Sequence, residues 1–184
     1  YLRELIEWRL KLCEQGETKW NEDTPFHWRS AMWRREVPPE TWEEVGELYG
    51  KGEHEKCAAL AKLLTEAWPN FAAGHNYLGL IARDRGALDE AVGHFERALV
   101  VGRTLFPKRI RKDEWWGNHD TRPYIRSLVW LAQTHNRRGD QGKALVCCDR
   151  LEGECAQDVT AATERGPIFL NATACLTLWL LFSL

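Results

Sequence analysis

Residues 78–98 read LGLIARDRGALDEAVGHFERA. Leu78 and Ala82 lie four residues apart, and Ala91, Phe95 and Ala98 follow at spacings of four and three, with Gly86 between the two groups. Spacings of three and four set side chains on one stripe of an α-helix. A glycine between two such stripes supplies the left-handed backbone that ends one helix before the next begins. The stretch therefore predicts two helices joined by a tight turn, with small residues (Gly79, Ala91, Ala98) where the helices approach and Phe95 filling the space between units.

Moving outward, the same arrangement recurs on both sides. Upstream, Trp42, Val45, Gly46 and Tyr49 precede Gly52, Cys57, Ala61, Leu64 and Pro69. Downstream, Leu131, Ala132 and His135 precede Gly139, Ala144, Cys148 and Leu151, and a further copy opens at Gly166 and Phe169. Gly52 and Gly86 are 34 residues apart, as are Ala132 and Gly166, while Gly46 and Gly79 are 33 apart. Gly86 to Gly139 spans 53 residues, one period plus 19. The surplus falls around residues 107–122, a stretch rich in charge, Trp and turn residues. One hairpin cannot bury its apolar face alone, so stacked neighbours must create the core.

These residues resemble the tetratricopeptide repeat family, whose pattern is W-x2-L-G-x2-Y, then A-x3-F, then P. Trp42, Gly46, Tyr49 and Pro69 match in the first copy; Leu78, Gly79, Ala91 and Phe95 in the second; Leu131 and Ala144 in the third; Gly166 and Phe169 in the fourth. The resemblance spans residues 39–184 and implies an all-α fold, a right-handed superhelical solenoid of stacked helical hairpins. It also implies a concave groove that binds peptides or proteins, with no particular partner specified. Residues 1–38 read as a separate Trp-rich helical appendage, with a helix over 1–15 and a boundary at Pro38-Pro39. The apolar end, Cys175–Leu184, is too short to span a bilayer and reads as the second helix of a truncated last repeat. Trp115-Trp116 and Thr121-Arg122-Pro123-Tyr124 mark a structured insertion, since Pro123 suits the first turn of the next helix and aromatic rings bury well.

Composition bounds the function. Of the 184 residues, 44% are hydrophobic and 28% charged, with a formal net charge of −2. That balance fits an ordered globular chain and argues against a general nucleic-acid binder, which needs a large excess of Lys and Arg. The six cysteines form no C-x-x-C and sit mostly in apolar helical patterns, so a reducing, cytoplasmic setting is expected. No secretory signal pattern precedes them. No nucleophile elbow, Walker loop, H-E-x-x-H or dinucleotide fingerprint is present, so no catalytic residue and no cofactor are assigned. Cys147 and Cys148 project about 100° apart on a helix, which is poor geometry for joint chelation, and no metal ligands are assigned. Arg138-Gly139-Asp140 matches an adhesion tripeptide, but Gly139 is already explained as a turn.

The expected groove is lined by the first helix of each hairpin, on the face away from its small packing residues. That face carries Glu40, Glu43 and Glu47 in the first hairpin, then Asn76, Leu80 and Arg83, then Arg126, Val129, Gln133, Asn136 and Arg137. Between Arg103 and Arg138 nine basic residues stand against three acidic ones, a local net of +6. Asn76, Arg83, Arg126, Gln133, Asn136 and Arg137 are the candidate partner-binding residues, suited to a peptide backbone or a carboxylate. The expected partner is a protein or peptide with an acidic segment. Some family members hold chaperone tails through Lys and Asn on the first helix, where Glu43 and Glu47 stand here, which argues against that clamp. Two alternatives stay open: a helical accessory region of a larger enzyme, and self-association through a half-made last repeat.

Overall fold

The computed structural model describes residues 39–110, Trp115 and residues 120–154. Among them are six α-helices and no strand: α1 (Pro39–Gly50), α2 (His54–Ala67), α3 (Ala72–Asp84), α4 (Leu88–Arg103), α5 (Arg122–Arg137) and α6 (Gln141–Glu154). The appendage expected over 1–38 and the last repeat expected beyond 154 lie outside the described residues, as does Trp116.

The three hairpins close in the same way. Gly52, Gly86 and Gly139 adopt φ of 74°, 82° and 83°. At each turn the glycine N–H donates to the carbonyl three residues back, at Tyr49, Arg83 and Asn136, at 3.0 Å. The following N–H donates to the carbonyl five residues back, at Leu48, Ala82 and His135, at 2.9 Å. This paired closure satisfies carbonyls that a helix end leaves open, and it needs a residue without a Cβ at the left-handed position.

Each helix packs on the next in chain order, and α3 also touches α1 and α5. Among the described residues no contact joins α2 to α4 or α4 to α6. The odd-numbered helices thus form one layer of mutual neighbours, and the even-numbered helices form a second, more widely spaced layer.

The core confirms where small side chains are required. Phe95 is fully buried, and a Cβ on Gly79 would fall 2.5 Å from its ring, so only a bare backbone lets α3 and α4 close on it. The same ring also packs against Trp130 of α5, with centroids 5.7 Å apart. Phe95 therefore bridges two hairpins, as its position in the repeat suggests. Gly46 behaves differently from expectation. A Cβ there would meet the Tyr77 hydroxyl at 3.0 Å, so Gly46 makes room for the first helix of the next hairpin rather than for its own partner helix.

The insertion folds back on itself. A Cβ on Gly102, in the last turn of α4, would lie 3.2 Å from the backbone of Tyr124, so the chain leaves and re-enters the stack at nearly the same place. Phe106, Trp115 and Tyr124 pack ring against ring, with centroids 5.2–6.1 Å apart. The buried Thr121 hydroxyl donates to the Trp115 carbonyl, and Pro123 sits in the first turn of α5. These rings join Ile125, Leu128 and Leu151 in a core cluster of their own. Among the described residues no helix is long and apolar enough to cross a membrane.

One half-buried histidine resists protonation. The His75 ring stacks on His94 at 6.4 Å, and its Nδ1 is buried without a hydrogen-bond partner. Burial, then the His94 and Arg97 charges, push its pKa from 6.5 to about 4. Below pH 6.5 the unfolded chain takes up a proton that the folded chain resists, so this position lowers stability as pH falls toward 4. His75→Phe keeps the ring and removes the titration. Its Tm is expected to fall less steeply between pH 6.5 and 4 than that of the unaltered protein, measured by circular dichroism.

The glycines offer a second test. Gly79→Ala gains up to about 1 kcal/mol of helix propensity but drives a methyl into the Phe95 ring, for a net destabilisation of about 1–2 kcal/mol. Gly93, in the same hairpin on α4, has nothing within 4 Å of the place a methyl would occupy, so Gly93→Ala is expected to stabilise by about 0.5–1 kcal/mol. Urea denaturation of both variants reads the opposite signs.

Candidate interaction surface

The layer of α1, α3 and α5 carries a chain of polar contacts from one hairpin to the next. Tyr49, near the end of α1, donates its hydroxyl to Asp84 Oδ2 at 2.5 Å. Burial, then this hydrogen bond to a carboxylate, raise its pKa to about 12, so it remains a donor. Arg83, beside Asp84 on α3, donates from Nη1 to Gln133 Oε1 of α5 at 2.8 Å. The Arg83 side chain is only 11% exposed, and its Nε is buried without a hydrogen-bond partner. Burial and then the neighbouring positive charge of Arg137 push its pKa below the ordinary guanidinium value.

The six candidate residues separate into two kinds. Asn76 is 2% exposed, not on an open face: its Nδ2 donates to the Pro123 carbonyl at 2.8 Å, and its Oδ1 lies 2.9 Å from the Ser127 hydroxyl. Its amide ties α3 to the first turn of α5, where the Pro123 carbonyl also accepts from the Ser127 hydroxyl at 2.7 Å. Leu80 is buried as well, and Val129 packs against the insertion cluster. Arg83 and Gln133 face each other across the α3–α5 seam, and each holds the other in place. Asn136 is half-buried in the last turn of α5. Arg126 and Arg137 are exposed, and among the described residues neither enters an ion pair. The positive charge of Arg126 reaches the half-buried Tyr77 hydroxyl on α3, where it partly offsets the effect of burial.

The basic character of the insertion is smaller than the sequence count implies. The Arg103 guanidinium lies 4.7 Å over the Phe106 ring and reaches the carbonyls of Phe106, Pro107 and Lys108 at 3.3–3.5 Å, closing the end of α4. Arg138 pairs with Asp89 of α4 at 3.0 Å and with Asp140 at 3.5 Å. The Arg138-Gly139-Asp140 tripeptide is thereby a turn with both charged ends engaged inside the fold. Lys108 and Arg109 are exposed, whereas Arg111 and Lys112 lie outside the described residues. At the other end of the layer Glu43 and Glu47 are exposed, and Glu47 pairs with Lys51 at 2.8 Å.

Tyr49, Tyr77 and Asp84 belong to this surface and are not among the candidates that the sequence yields. Tyr49 occupies an aromatic position of the repeat that reads as packing; its hydroxyl contact with Asp84 spans 35 residues, and no local spacing signals it.

The remaining chemistry-bearing residues are buried in the core. Cys57, Cys147 and Cys148 are free and buried, and burial raises the Cys57 and Cys147 thiols to about 11, which keeps them protonated. Among the described residues no group of three His, Cys, Asp or Glu side chains could hold a metal ion.

Compared with known proteins, the chain matches no family model and no curated protein.

The Asn76 bridge predicts a stability effect rather than a binding effect. Asn76→Leu removes two hydrogen bonds from a buried seam, leaving the Ser127 hydroxyl and the Pro123 carbonyl bonded to each other, and is expected to cost about 1–3 kcal/mol. A lower urea midpoint with an unchanged slope is the expected result; an unaltered midpoint would show that the bridge contributes nothing.

Proposed function

We propose that this chain is a protein-interaction scaffold of the tetratricopeptide type, a right-handed superhelical stack that grips an acidic peptide or protein segment against α1, α3 and α5. The observation that carries the reading is the asymmetry of the layers. Among the described residues each odd-numbered helix touches the next odd-numbered one while the even-numbered ones do not touch, which is the packing expected of a stack that curves toward its odd side. A face on the inside of a curve presents residues from several hairpins to one ligand.

The charge on that face supports an acidic partner. Arg126 and Arg137 stand exposed on α5, and among the described residues no carboxylate pairs with either. Buried free thiols agree with a reducing, cytoplasmic setting. Asn76, and the Arg83–Gln133 pair, support the surface from beneath rather than meeting the ligand first.

Arg126→Glu together with Arg137→Glu reverses the charge at two exposed positions that, among the described residues, enter no ion pair. Partner binding is expected to weaken at least about tenfold, with helical content and Tm unchanged. Affinity capture of partners by the double variant, beside the unaltered protein, makes the test. Recovery of the same partners in the same amounts would show that they bind elsewhere.

A further inference from the structure

On α5, Arg126 and Arg137 are eleven residues apart. At about 1.5 Å and about 100° per residue, they stand about 16 Å apart along the axis and within about 20° of each other around it. Gln133 lies between them on the same stripe, anchored to Arg83. Tyr77 flanks the Arg126 end and Arg83 the Arg137 end, both from α3. Asp84, the acid next to Arg83, is turned toward Tyr49 of α1.

We propose that this stripe is a two-point gauge: Arg126 and Arg137 hold two acidic side chains about 16 Å apart on one extended segment of a partner protein. The proposal rests on the groove reading above and adds a spacing to it. In an extended chain, where successive side chains alternate faces and each residue advances about 3.3 Å, the same-face separations that bracket this distance are four residues (about 13 Å) and six (about 20 Å), both within reach of flexible arginine side chains. A helical partner would need acids eleven residues apart and an apolar channel for its other face. Among the described residues the large hydrophobic side chains that stand exposed are Val100 and Val146, on α4 and α6; the apolar side chains of the odd layer, Leu78 and Trp130 among them, are half-buried and give a helix less to grip. An extended acidic strand fits the surface better than an amphipathic helix.

The arrangement distinguishes position from total charge. Two glutamates at the matching separation engage both guanidiniums at once, whereas adjacent glutamates engage one. The second contact acts as an intramolecular event once the first is made.

Three labelled peptides with uncharged ends test this at low ionic strength by fluorescence anisotropy on the full chain. Two are Ser/Thr peptides, one with its two glutamates four residues apart, on one face of the extended chain, and the other with them side by side. The third is an alanine-rich helical peptide that carries them eleven apart. The separated extended peptide is expected to bind about threefold to fivefold tighter than the adjacent one, as one further exposed ion pair allows. Arg126→Gln or Arg137→Gln is expected to erase that difference while leaving the weaker peptide within about twofold. Equal affinities that still fall in both variants would overturn the gauge and leave the groove standing. Tightest binding by the helical peptide would likewise overturn it. Binding unaffected by the two substitutions, or no binding by any peptide, would remove the groove as well.

Discussion

The Phe95 ring resting on the bare backbone of Gly79 is the contact on which the rest of the stack depends. It fixes how closely α3 and α4 approach, and its contact with Trp130 bears on where α5 stands. Protein interiors are close-packed, so a ring held by two neighbouring helices defines a distance rather than merely adding apolar area. With α5 so placed, Asn76 can reach the Pro123 carbonyl and Arg83 can reach Gln133. The polar seam of the odd-numbered layer is thus a consequence of an apolar contact made beneath it.

Charge is distributed by what each cation has to do inside the fold. Arg103 closes a helix end and Arg138 joins two hairpins, so both are absorbed by structure. Arg150 of α6 packs over the Tyr124 ring and pairs with Glu154, tying the insertion cluster to the last described helix. Tyr124 in turn donates to Glu154, and burial followed by that hydrogen bond raises its pKa, so it stays protonated. Arg126 and Arg137 carry no comparable internal duty among the described residues. Exposed charges of that kind contribute little to stability, which leaves them available for recognition.

The turns are legible in the sequence because one residue type answers one backbone demand. Gly52, Gly86 and Gly139 follow from spacing alone, and all three have the left-handed φ that such a turn requires. Ala91, Ala98 and Ala144 are equally readable, since each is fully buried where the repeat needs a small side chain. The aromatic residues of the insertion and the helix start at Pro123 that ends it are legible, but not the approach of Tyr124 to Gly102, which depends on contacts far apart in the chain. The candidate surface is half legible. Helical periodicity gives a direction around one axis, yet it does not say which neighbour stands in that direction. For Asn76 the neighbour is α5, so a residue on the expected face is a buried bridge; for Arg126 and Arg137 no described element covers the same face.

Nuclear Overhauser contacts of the Phe95 ring test the nesting of the hairpins most directly. Cross-peaks are expected from the ring protons to the Gly79 α-protons and to the Trp130 indole. A Phe95 ring that shows neither set, or that reaches Gly79 without Trp130, would contradict the placement of the third hairpin and the surface built on it.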